Sequence, residues 1–188
     1  MAPHLRTWSL AALIGLGGTL GLASCSSGGA PSASGSSNST STTHIAGGAV
    51  VAVGTIPSND LSPAGTPGQA PTVTVPSGPP PTQLEGADLI KGTGARATNG
   101  HQATVQYVLA TYSSGKVIQS SWTSQPFTFV LGEGQVIPGW DKGVVGMKVG
   151  GRRELIIPPS LGYQNHSPGP GIAANDTLVF VIDLVSVN

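Results

Sequence analysis

Over residues 104–110 apolar and polar side chains alternate, with Val105, Tyr107 and Leu109 on one face. That period of two is the mark of a half-buried strand. The alternation returns over 127–130; a further run at 152–157 is closed by Pro158-Pro159, and the longest extends over 177–187, where Leu178, Phe180, Ile182 and Leu184 share a face. Between the second and third of these runs the period changes. Ile137, Trp140, Val144 and Met147 recur at intervals of three or four, which predicts one apolar face of a short helix. Pro138 suits its first position, where a missing N–H costs nothing, and Gly150-Gly151 supplies the expected stop. So short a helix is marginal alone in water and must lie on an apolar sheet face. Trp140 then falls where helix meets sheet, as core or as the floor of a pocket. Ser113-Ser114-Gly115-Lys116 reads as a turn, and residues 160–175, rich in Pro, Gly and Asn, as a loop. Many strands with one short helix predict an antiparallel α+β domain.

Upstream the patterning fades. From Ser26 to about Pro81 the chain is dominated by Ser, Gly, Thr, Pro and Ala, with almost nothing to bury. It reads as a flexible tether of about 40–45 Å root-mean-square span. Two β-branched pieces, residues 49–53 and 72–75, are candidate edge strands. Pro79-Pro80-Pro81 stiffens the junction. The expected organisation is therefore a leader over 1–24, a tether over 25–81 and a folded domain over 82–188.

The first segment has its own logic. A slightly basic start is followed by an apolar run over residues 8–23, short for a membrane span and ending in small residues, as in a secretory signal peptide. Leu22-Ala23-Ser24-Cys25 resembles the lipobox of bacterial lipoproteins. The resemblance implies cleavage before Cys25, lipid on that cysteine, and a domain held at the outer face of the cell membrane. More than one lipid chain makes such anchoring stable. Cys25 is the only cysteine, so a disulfide within the chain is excluded.

Charge narrows the function. The 188 residues carry 8 Lys and Arg against 8 Asp and Glu, only 9% charged in all. No basic field exists to displace counterions from nucleic acid. Between Thr7 and Leu84 the only acid or base other than His44 and Cys25 is Asp60. His4, His44, His101 and His166 lack ligand spacing, so neither a metal nor another cofactor is expected. Ser113-x-x-Lys116 sits in a turn without companion motifs, and Gly132-Glu133-Gly134 lacks the dinucleotide spacing. Lys148, Arg152 and Arg153 near the helix end are read as a solvated face.

Five spaced motifs carry a family resemblance: Pro126-Phe127-Thr128-Phe129, Val136-Ile137-Pro138-Gly139-Trp140, Gly146-Met147-Lys148-Val149-Gly150, Leu161-Gly162-Tyr163 and Asp176-Thr177-Leu178-Val179-Phe180. In order and spacing they resemble FKBP-type peptidyl-prolyl cis-trans isomerases, over nearly all of residues 85–187. The resemblance implies a five-stranded antiparallel sheet wrapped around one short helix, with a ligand pocket between them. It assigns pocket roles to Tyr107, Phe127, Val136, Ile137, Trp140, Tyr163 and Phe180, and secondary ones to Gln119 and Ile172. Trp140 supports the proline ring, the Ile137 amide holds a carbonyl, and the Tyr163 hydroxyl makes a second hydrogen bond. Implied partners are proline-containing polypeptides and FK506- or rapamycin-type macrolides, with the chain acting as a monomer.

The chemistry requires little machinery. Rotation about X–Pro faces a barrier of about 18–20 kcal/mol and takes tens of seconds unaided. A millionfold acceleration removes about 8 kcal/mol without making or breaking a covalent bond. An apolar pocket disfavours the charge-separated planar amide relative to the twisted one, and a fixed donor can hold the carbonyl. One departure bears on this. Where the family has Phe-Asp before a pair of serines, this chain has Ile118-Gln119. Two alternatives to an isomerase follow: a catalytically weak peptide-binding module, or a lipoprotein domain whose pocket is filled by its own side chains.

Overall fold

The computed structural model describes residues 53–188. The leader, Cys25, the tether as far as residue 52 and nearly all of the strand expected over 49–53 lie outside the described residues. What is described is an antiparallel sheet built from β1 (Glu85–Ile90), β2 (Gln102–Thr111), β3 (Val117–Ser120), β4 (Phe127–Val130), β5 (Arg152–Ile157) and β6 (Leu178–Val187), with one helix, α1 (Pro138–Gly143). The order is β1-β5-β6-β2-β3, and β4 also pairs with β2. Because β6 takes one edge of β2 along its length, β3 and β4 share the other, at residues 108–110 and 102–105. Six segments therefore fill five positions, as the five-stranded expectation requires.

Alternation along the central strands decides the layers. Leu178, Phe180, Ile182 and Leu184 of β6 and Leu155 and Ile157 of β5 join one core with Trp140, Val144 and Met147. Burying each such side chain contributes about 1.5–3 kcal/mol. The helix sits close because its sheet-facing positions are glycines: a Cβ at Gly143 would lie 2.5 Å from Leu155 Cδ1. It is shorter than expected, ending at Gly143 instead of running to Gly150. Gly146 takes φ +89, a backbone state that an α-helix cannot continue through. The two residues expected further along the helical face, Val144 and Met147, are still buried, but from the turn that follows.

The opposite face of the sheet overturns two expectations. Residues 53–81 do not hang free as a tether; they lie across the back of β5 and β6 as a strap. Gly54 bridges Glu85 in parallel fashion, and Ile56, Leu61, Val73 and Val75 pack with Ile156 and Val179. The Ser62 N–H donates to Glu154 Oε2 at 2.7 Å, and the Thr74 N–H donates to Ser62 Oγ at 2.9 Å. The folded unit thus begins by Val53, not at Thr82. Residues 72–75 form no strand and belong to the strap.

Nor are the arginines a solvated face. Arg152 is fully buried beneath the strap; it binds Asp183 through Nε and Nη2 at 2.5 and 2.7 Å and donates to the carbonyls of Ala64 and Gln69, both at 2.7 Å. A guanidinium offers five donors in a rigid fork, which is how one side chain grips a carboxylate and two loop carbonyls at once. Arg153 points to the helix side, pairs with Asp88 at 2.6 Å and donates to the carbonyls of Gly143 and Val145. Those carbonyls belong to the helix end, so Arg153 is its cap.

Candidate active site

The site forms where the start of α1 meets the concave face. Tyr107 comes from β2, Phe127 from β4, Trp140 from α1 and Phe180 from β6. Tyr107 and Phe180 meet the Trp140 indole edge to face or nearly so, with centroids at 5.2 Å in each case. Phe127 stands 6.0 Å from Trp140 and 6.5 Å from Tyr107. Such edge-to-face geometry suits the ring quadrupoles and fixes each plane. Trp140, Tyr107 and Phe180 are buried, whereas Phe127, Val136, Ile137 and Tyr163 are half-buried and form the rim. All seven principal residues expected from the sequence belong to this one core and its rim, and Ile172 is buried against it.

Polar groups at the site are few. The Ile137 carbonyl accepts from the N–H groups of Trp140 and Asp141, which starts the helix. Its own N–H donates to no backbone acceptor among the described residues. Ile137 is half-buried at the rim, with φ −58 and ψ 144, outside the helical region. The Trp140 indole Nε1 is buried and also has no partner among the described residues. Burial raises the Tyr107 phenol above its ordinary pKa, and the nearby Tyr163 phenol adds to the effect; burial likewise raises Tyr163. Both therefore stay protonated at neutral pH as O–H donors.

The departure at 118–119 takes a specific form. Gln119, opposite Leu109, is exposed at the outer edge of the sheet. Ile118 is half-buried against the core and closes on the loop after Tyr163: a Cβ at Gly171 would come 3.0 Å from Ile118 Cδ1. Of the two secondary candidates, then, Ile172 joins the buried cluster and Gln119 is exposed outside it.

Two residues escaped the sequence reading. Phe129 is buried behind the site, stacked on Phe127 at 5.8 Å and 5.6 Å from Trp140. Its place two residues after Phe127 on an alternating strand was the available signal. Ser121 accepts from the Tyr107 N–H at 2.8 Å and donates to Gln106 Oε1, fixing the strand that carries the phenol. Ser121 stands in the sequence only as the second of a pair of serines, which gives no such signal in advance.

Comparison with known proteins agrees with this geometry. The FKBP-type peptidyl-prolyl cis-trans isomerase family matches residues 94–185. An FK506-binding protein of Streptomyces anulatus is 49% identical over 121 residues, covering 63% of this chain and 98% of that protein. A probable FK506-binding protein of Corynebacterium glutamicum is 41% identical over 119 residues, with the same coverage of 63% and 98%. Among solved structures, AtFKBP13 superimposes with a TM-score of 0.51 at 34% identity, over 58% of this chain and 96% of that one. FkpA from Escherichia coli gives 0.51 at 35% identity, over 57% of this chain and 49% of that one. With near-complete coverage of a half-identical relative, and with the rings gathered around one indole, the chain belongs to the FKBP-type peptidyl-prolyl cis-trans isomerase family.

Proposed function

We propose that the chain catalyses cis-trans isomerisation of X–Pro bonds in exported or cell-envelope polypeptides, using the ring cluster around Trp140. The reading rests on one observation: three mutually packed rings, Tyr107, Trp140 and Phe180, lie beside a half-buried Ile137 whose N–H has no backbone acceptor among the described residues. The prolyl ring packs on the indole, between Phe127 and Phe180. The Ile137 N–H donates to a substrate carbonyl, and the Tyr163 O–H donates to a second one. Removing water from the planar amide weakens its charge-separated form, so the twisted amide is bound better than either ground state. No group on the protein gains or loses a proton.

Residues 1–25 support export and lipid anchoring through Cys25, which leaves the domain on the outer face of the membrane as a monomer. Macrolides of the FK506 and rapamycin type fit the same apolar cluster as competitors. The test is protease-coupled isomerisation of an Ala-Leu-Pro-Phe peptide by the full-length chain in detergent. Acceleration that rapamycin abolishes is expected; a rate equal to buffer with a folded protein would defeat the proposal. The exposed Gln119 and the aliphatic Ile118 favour one second reading, a peptide-binding module. That reading gains if a proline peptide shifts Trp fluorescence without any acceleration. Mass spectrometry of the membrane fraction tests the anchor, with an unmodified Cys25 as the contrary result.

A further inference from the structure

We infer that Asp141 is the positioning residue that sets the Ile137 amide, and this rests on the isomerase reading above. The segment between β4 and α1 carries Val136 and Ile137 and leads directly into Trp140, three of the seven principal site residues, yet little of it is held by regular structure. It is tied by one carboxylate. Asp141 Oδ1 accepts from the Gly132 N–H and Oδ2 from the Gly134 N–H, both at 3.0 Å. Both glycines have positive φ, +80 and +67, which brings their amides round to the same acceptor. Asp141 in turn is anchored through its own N–H to the Ile137 carbonyl. The carboxylate thus closes a ring of about ten residues with Ile137 on it, and charge-assisted bonds to backbone donors are the stronger kind. Gln135 Oε1, which accepts from the Val130 N–H at 3.0 Å, braces the same loop.

The consequence is specific to binding. The Ile137 N–H holds a substrate carbonyl in the ground state and in the twisted state alike, so displacing it removes uniform binding. Asp141→Ala should raise KM about five- to tenfold while kcat changes less than twofold. Asp141→Glu, which restores an acceptor pair, should recover most of the loss. A carboxylate that merely stabilises the fold would behave otherwise: kcat would fall with the folded fraction and KM would stay constant. Should Asp141→Ala fail to fold, Asp141→Asn keeps one oxygen acceptor and should show the same split at smaller amplitude.

A second readout does not depend on turnover. In an amide correlation spectrum Asp141→Ala should move the Ile137 resonance while the β2 and β6 resonances stay in place. An unchanged KM, or an unmoved Ile137 resonance, overturns the inference. An inactive wild-type chain overturns the isomerase reading, and the Ile137 resonance then still decides whether Asp141 sets that amide.

Discussion

Gly139 lies directly on Ile157: a Cβ there would collide with Ile157 Cγ2 and stand 2.8 Å from Cδ1. Helix and strand meet through bare backbone, which fixes how deep the indole of the next residue, Trp140, sits. Gly139→Ala should therefore destabilise the domain by about 1–3 kcal/mol through overpacking. Urea unfolding gives the value. Combining it with Ile157→Ala should recover part of the loss, and strict additivity of the two changes would count against a direct clash.

Glu154 gives the fold an unusual response to pH. Its carboxyl is buried under the strap, and burial pushes its pKa up to about 7 against the hydrogen bond from the Ser62 N–H, while Oε1 has no partner among the described residues. A raised acid binds its proton more tightly in the folded state, so this group costs stability as pH rises from the unfolded value of 4.5 to about 7. The loss across that window should be about 2–3 kcal/mol. Glu154→Gln should flatten the profile between those limits and raise stability at pH 8. An unaltered slope in the variant would place the titration elsewhere.

Arg152 is the hub of the strap. Arg152→Ala leaves Asp183 and the carbonyls of Ala64 and Gln69 without their donor. Breaking a buried pair in this way should destabilise by about 3–5 kcal/mol. Limited proteolysis should then cut within residues 53–81 well before the sheet, whereas the wild type resists. Equal cleavage rates would mean that the strap is held without the guanidinium.

Tyr163 separates chemistry from packing, because Tyr163→Phe removes one oxygen and leaves the ring. Losing a neutral hydrogen bond of about 1 kcal/mol predicts roughly a fivefold drop in kcat/KM. The melting temperature should hardly move. Full activity in that variant would exclude the hydroxyl from the reaction.

The parts that could be read from sequence were those in which side chains report directly on burial. Phe127, Trp140 and Phe180 advertise themselves, β2 and β4 alternate, and β6 keeps Leu178, Phe180, Ile182 and Leu184 at every second position. The strand β1 reads Glu-Gly-Ala-Asp-Leu-Ile, whose small residues hide its pairing, and β3 is only four residues long. The strap was illegible for a different reason. Its own sequence looks like coil, since its docking is recorded in the sheet instead: the charges of Arg152 and Glu154 open β5 together with Arg153 and so mimic a wet surface. They are in fact donors and acceptors for another stretch of backbone. The helix end was misplaced because Val144 and Met147 keep helical spacing after the helix has stopped.

The strap also settles how mechanical load would enter the molecule. Tension arriving from the N-terminal direction first meets the bonds that Gly54 makes with Leu84 and Gly86, then the apolar patch around Ile56, then the grip of Glu154 and Arg152. The first of these lies at the β1 edge and the others behind the sheet. Load applied at Val53 is therefore met on the strap's side of the molecule, while the indole and its neighbouring rings lie in the cluster on the other face of the sheet.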